Sequence, residues 1–129
     1  MNRLLIALLL TLTSCSVTQP GEGRGLGVVL RSDAVLYIGS AHFCTRPATF
    51  DMDKVSAEMS EWREIQRTGV RPGSARYSMW KNKMHSHLVA ACKKAAVSRG
   101  YDLIVRSGDI KNDGGFVIGD LTADVIGAL

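Results

Sequence analysis

Three histidines and three cysteines are among the side chains of this chain that could bind a metal ion or act as nucleophiles. His85 and His87 stand two residues apart on a predicted helix, so they face different directions. The zincin pattern needs a histidine pair at i, i+4 with a glutamate between, and the sequence does not contain it. His42, Cys44 and His85 could supply ligands, but nothing in their spacing requires it. We therefore predict no metal and no cofactor, and histidines that are solvated or partly packed.

The sequence also lacks the usual patterns of an active site. It contains no G-x-S-x-G motif, and its C-terminal aspartates do not match the spacing of an EF-hand loop. Asp51 and Asp53 flank a predicted strand-to-helix turn, where helix capping explains them. We therefore expect a protein that is not an enzyme. A thiol enzyme that uses Cys44 with a distant histidine is the alternative.

Cys15 follows a segment typical of an export signal. Arg3 supplies a positive charge, and residues 4–12 form an apolar run without charge. A membrane-spanning helix needs about 20 apolar residues, so this run is too short to be one. Residues 12–15 (LTSC) resemble the bacterial lipobox, in which a hydrophobic and two small residues precede a cysteine. The resemblance implies cleavage before Cys15 and acylation of its thiol, with palmitate among the fatty acids. The alternatives are a signal with an incidental cysteine, or the amphipathic start of a cytosolic protein.

The lipobox resemblance divides the chain into three parts. Residues 1–14 are the predicted signal peptide, residues 15–27 a lipidated glycine-rich tether, and residues 28–129 a single periplasmic domain. Ser16 follows the cysteine where lipoproteins of the inner membrane often have aspartate. We therefore expect a lipid anchor in the cell envelope, at the outer membrane, with the domain facing the periplasm.

Cys44 and Cys92 would then lie in an oxidising compartment, where an even pair can form a disulfide. The other interpretation is that Cys92 is a small buried apolar residue and Cys44 a free thiol. The spacing does not show whether the two cysteines meet, so both interpretations stay open.

The charge of the chain is modest. Removal of Arg3 with the signal would lower the net charge from +4 to +3. The excess is spread along the chain, without a block of like charges or interleaved basic and aromatic residues. It gives weak support for contacts with acidic partners or anionic lipid, and none for binding nucleic acid.

Hydrophobic patterning predicts an α+β fold, with a small sheet of short strands packed against two medium helices and a short C-terminal helix. Apolar runs at residues 28–30 and 34–38 predict two strands or a hairpin. Further strands are predicted at residues 48–52, 101–106 and 115–118.

Three helices are predicted, over residues 53–67, 74–99 and 121–129. Their expected N-caps are Asp53, Ser74 and Asp120, and Gly100 is expected to end the second helix. Charged residues mark the expected solvent side of the first helix: Glu58, Glu61, Arg63, Glu64 and Arg67. Larger side chains at helical spacing could line a peptide-binding groove, but they more often form a helix–helix core: Met59, Trp62, Met79, Trp80 and Met84.

The C-terminal half resembles a known family. Residues 93–105 (KKAAVSRGYDLIV), followed by residues 120–126 (DLTADVI), resemble the end of OmpH/Skp-type periplasmic chaperones. Residues 50–55 (FDMDKV) resemble that family's opening strand and helix start, so the resemblance covers residues 49–129. It implies chaperone-like binding of other proteins during envelope assembly. The chaperones carry long paired helices as tentacles, whereas Pro72-Gly73 interrupts the helices here.

A second resemblance is to the TrbI proteins of F-type conjugative transfer systems. The segments FDM (50–52), SARY (74–77), LIV (103–105) and DLT (120–122) are similar in order and spacing. Neither family brings catalytic residues. The sequence therefore predicts a membrane-anchored, non-enzymatic periplasmic lipoprotein that binds other envelope proteins. An accessory role in a conjugative type IV secretion system is the alternative, and homo-oligomerisation stays open.

Overall fold

Helices and short strands follow one another along residues 27–129, the part of the chain that the computed structural model describes. In chain order the elements are β1 (Val29–Leu30), β2 (Leu36–Ile38), β3 (Pro47–Phe50), α1 (Met52–Glu58), α2 (Ser60–Thr68), α3 (Ala75–Arg99), β4 (Leu103–Arg106), β5 (Ile110–Asn112), β6 (Gly119–Asp120) and α4 (Thr122–Gly127). The predicted α+β class, with a small sheet and helices, is confirmed.

The main sheet has four strands in the order β2-β4-β3-β6. Strand β3 runs parallel to both β4 and β6, and β2 runs antiparallel to β4. Strands β1 and β5 form a separate antiparallel ribbon, in which Leu30 faces Ile110. The predicted strands at residues 28–30 and 34–38 therefore exist, but the hairpin alternative is wrong. Asp109 separates them, because its main-chain oxygen accepts from Arg31 N and its carboxylate accepts from Val35 N.

Strand β4 is buried on both faces of the sheet. Leu103, Ile104 and Val105 have no solvent exposure. Ile104 belongs to the larger core with the helices, whereas Leu103 and Val105 belong to a smaller cluster with Val28. Alternate residues of a strand point to opposite faces, so the sheet lies between a helical layer and a ribbon layer. We call these the helix side and the ribbon side.

The first predicted helix is two helices. Helix α1 ends at Glu58 and α2 begins at Ser60, because Met59 between them has an extended backbone (φ −87°, ψ 131°). The break places the Met59 side chain in the larger core, 1% exposed. The N-cap prediction at Asp53 is also wrong, since Asp51 caps α1 by accepting from the main-chain N–H groups of Asp53 and Lys54. The prediction of a single first helix failed because packing of the Met59 side chain in the core overrides the continuous helical pattern.

The ends of α3 agree with the prediction. The Ser74 side chain accepts a hydrogen bond from Tyr77 N, and the helix ends at Gly100 in the left-handed conformation (φ 71°). The Gly100 N–H donates to the Ala96 oxygen at 2.7 Å. Within residues 27–129, none of the helices is long and apolar enough to cross a membrane.

The C-terminal segment differs from the prediction in two ways. The strand expected at residues 115–118 is absent. Strand β5 ends before this segment and β6 begins after it. Phe116 and Ile118 instead pack into the smaller cluster on the ribbon side. Helix α4 follows Leu121 as its N-cap, and Asp120 lies one residue earlier, where its carboxylate accepts from Thr122 N and Oγ1.

Candidate binding surface

The two described cysteines lie on opposite sides of the sheet. Cys92 is in the larger core on the helix side, and Cys44 is in the smaller cluster on the ribbon side. Both are buried free thiols, so the disulfide interpretation is not realised in this structure. Burial raises the pKa of Cys92 to about 12 and also raises the pKa of Cys44. Cys15, the predicted lipidation site, lies outside the described residues.

Cys44 is poorly placed for nucleophilic chemistry. Its Sγ contacts the main-chain oxygen of Ala41 at 3.7 Å, and its side chain is buried in the smaller cluster. A reactive cysteine needs its thiolate form, which a raised pKa disfavours. His42 is exposed on the same loop. Within residues 27–129, the histidine, cysteine and acidic side chains form no cluster of three that could hold a metal ion.

Glu61 and His87 join α2 to α3. Glu61 Oε1 lies 3.0 Å from His87 Nδ1, and the Glu61 side chain is mostly buried. Burial alone would raise the pKa of Glu61, but hydrogen bonds from its own N–H and from His87 outweigh burial and lower the pKa. The helical pattern had placed Glu61 on the solvent side of a single helix. That prediction is wrong because the break at Met59 resets the orientation of α2.

Glu61 also borders an open groove beside α3. The groove has a volume of about 830 Å³. Its lining residues on α3 are Ala75, Ser78, Met79, Asn82, Lys83 and Ser86. Met79 is 48% exposed, whereas Met59 and Met84 are buried in the core. The sequence allowed either a groove or a core for the large residues of these helices, and the structure places Met79 in the groove.

A second, polar pocket lies at the carboxyl ends of β3 and β4, with a volume of about 490 Å³. Arg106 donates to both oxygens of the buried Asp109, at 2.9 and 3.2 Å. Asp51 caps α1, and Arg31 pairs with Asp33 at 3.2 Å. These ionic groups are occupied in holding loops and a helix end, so the pocket has a structural explanation.

The groove is the feature that sequence reasoning located least well. Met79 was among the candidates, but Glu61 was missed, because no local signal marks the turn of the chain at Met59. Comparisons with protein-family models, with curated proteins and with solved structures found no match to this chain.

Proposed function

We propose that this protein is a lipoprotein, anchored to the outer membrane through Cys15, whose periplasmic domain binds other proteins during envelope assembly without catalysing a reaction. The groove between α2 and α3 is the observation that carries the binding role. Its opening is wide, and an apolar side chain lies half exposed within it.

The chemistry of the groove suits a segment of another protein. Ala75, Ser78 and Ser86 are small, so a partner's backbone or side chain can come close to α3. Met79 adds a flexible and polarisable side chain, which adapts to partners of different shape. Lys83 gives the rim a positive group, whereas Glu61 is engaged with His87, so an acidic side chain of a partner could be paired at Lys83.

The lengths of the helices limit the way in which a partner could be held. Helix α3 has 25 residues, which corresponds to about 37 Å, but α2 has 9 residues and reaches about 14 Å. OmpH/Skp-type chaperones, which the sequence of residues 49–129 resembles, hold a client between long paired helices. Without long paired helices, however, these helices do not form tentacles around a client, and we propose surface binding instead.

Site-specific crosslinking tests the binding role. A photoreactive residue at the position of Met79 should form discrete crosslinks to envelope proteins in intact cells. Val97 is the matched control, because it is an exposed apolar residue (85%) on the same helix and does not line the groove. Met79→Glu should reduce binding of the captured partner. Equal crosslinking from both positions, or none from Met79, would contradict the proposal.

Fatty-acid labelling tests the anchor separately. The wild-type chain should incorporate a fatty-acid analogue, and Cys15→Ala should not. Label that persists in Cys15→Ala, or that never enters the wild type, would overturn the lipoprotein assignment. Neighbouring genes then separate the two protein-binding roles, since transfer genes would favour the TrbI-like alternative and outer-membrane biogenesis genes the chaperone-like one.

A further inference from the structure

The chain enters the domain between two loops on the ribbon side. These entry loops are residues 39–46 and residues 113–118. Val28 N donates to the main-chain oxygen of Ala41 at 2.9 Å. A Cβ atom on Gly27 would lie 1.8 Å from that oxygen, and one on Gly114 would lie 2.4 Å from the Gly27 oxygen. Gly27, the last residue of the predicted tether, is therefore held in close contact with both entry loops.

Each entry loop exposes one large apolar side chain, two or three residues along the chain from the contact of that loop with the entry point. Phe43 is 79% exposed and Val117 is 92% exposed. Their neighbours behave differently, since Cys44 is buried in the smaller cluster and Phe116 packs against it. Val29, directly after the entry point, is also more than half exposed. The loops are thus packed from inside, while their outermost apolar side chains contact solvent.

We propose that Phe43 and Val117 contact the lipid surface to which the chain is anchored, so that the ribbon side faces the membrane. This inference rests on the proposed lipid anchor at Cys15. A chain of the length from Cys15 to Gly27 would span about 20 Å on average as a random coil and no more than about 40 Å when fully extended. The anchor therefore keeps the entry loops within reach of the bilayer. Tethering makes the contact intramolecular, so weak insertion of a few apolar side chains is sufficient.

The charges of the entry loops and the position of the groove are both consistent with contact between the ribbon side and the lipid surface. Arg46 and Asp113 are the charged residues of the entry loops, and with His42 neutral their charges cancel. Net electrostatic attraction of the entry loops to anionic lipid is therefore small, so the contact should persist at high salt. The groove beside Met79 belongs to the helical layer, on the other side of the sheet. With the ribbon side on the membrane, the groove faces away from the lipid and stays open to a protein partner.

The test measures the depth of two labels in the full lipidated protein. A fluorophore is attached to Phe43→Cys or, as the matched control, to Val97→Cys on α3. Cys44 and Cys92 are buried, so the introduced thiol is the accessible one in the folded domain. The protein is reconstituted in vesicles of phosphatidylethanolamine and phosphatidylglycerol that contain a nitroxide-labelled lipid. Quenching should be several-fold greater at position 43 than at position 97, at low and at high salt.

Val117→Cys provides a second readout, because so exposed a side chain can be replaced without disturbing the core. It should be quenched as strongly as the label at position 43. Equal quenching of both loop labels and the control, in protein that carries fatty acid, overturns the membrane contact and leaves the anchor intact. A chain without fatty acid overturns both. Loop labels that crosslink to a protein or to a second copy, without quenching by lipid, also overturn the contact.

Discussion

Thr45 donates two hydrogen bonds to the same oxygen of Asp102, from its main-chain N–H and from its hydroxyl, each at 2.7 Å. The other carboxylate oxygen accepts from Arg46 N at 2.8 Å. Asp102 precedes β4 and Thr45 precedes β3, so this contact aligns the starts of two parallel strands. It also fixes one end of the first entry loop.

Asp102→Asn should destabilise the domain by about 1–2 kcal/mol at pH 7, because hydrogen bonds to a charged acceptor are lost from a partly exposed site. Burial alone would raise the pKa of Asp102, but the bonds from Thr45 and Arg46 outweigh burial and lower it below 3.8. A lowered pKa stabilises the fold above the unfolded-state value and ceases to do so as the pH falls through the folded-state value. Urea unfolding should therefore show the difference from wild type shrinking below about pH 3.8. Asp53→Asn, at an exposed position, is the control, and a difference that does not change with pH would contradict the mechanism.

Met59→Ala should cost about 2–5 kcal/mol, because it leaves a cavity among residues of the larger core. Met79→Ala should change the free energy of unfolding by less than about 0.5 kcal/mol, since Met79 is half exposed. Both substitutions remove the same atoms. The free energies of unfolding of the two variants, measured by chemical denaturation, therefore distinguish a core position from a groove position. Similar losses in both would show that Met79 is also part of the core.

His87→Ala should raise the pKa of the Glu61 carboxyl group, because the variant removes a hydrogen bond that favours the charged form. Carbon NMR titration of the carboxyl group measures this directly. His85→Ala is the control, since the His85 ring lies beside Tyr37 and not beside Glu61. The contact between Glu61 and His87 stabilises the fold above about pH 4.5, the ordinary value, and is lost as the pH falls through the lowered one. An unchanged titration would mean that the two side chains do not meet in solution.

Cys44 and Cys92 should be unreactive towards a thiol reagent in the folded domain and should both react after unfolding without reductant. Burial of both side chains and the raised pKa of each thiol are the reasons. Cys15→Ala is used as the background for this measurement, so that Cys44 and Cys92 are the thiols counted. Thiols that stay unreactive after unfolding would reveal a disulfide between Cys44 and Cys92.

Sequence patterns correctly predicted the features that depend on interactions between residues close together in the chain. Ser74 and Gly100 bound α3 as the sequence predicts, because a side-chain cap and a left-handed glycine act within one turn of helix. The strand predicted at residues 101–106 from a short apolar run forms over Leu103–Arg106. These signals were sufficient for the α+β class and for most element positions.

The remaining features depend on contacts between distant residues. Nothing near residues 28–30 indicates that they pair with β5, since the alternation of apolar residues gives a face and not a partner. The extended backbone at Met59 depends on the core that its side chain enters. Glu61 turns towards His87 as a consequence, so the composition of the groove could not be read from helical periodicity.

The pairing of β3 with β4 has a consequence for folding during synthesis. Phe50 lies opposite Arg106, so the central strand of the sheet has no partner until nearly the whole chain is present. Closing so long a loop makes the parallel pair slow to form compared with local helices. A chain that emerges N-terminus first therefore holds β3, whose Ala48 and Phe50 side chains are fully buried in the folded domain, unpaired until β4 has emerged. The main sheet of this domain therefore forms late, after its C-terminal half has been released.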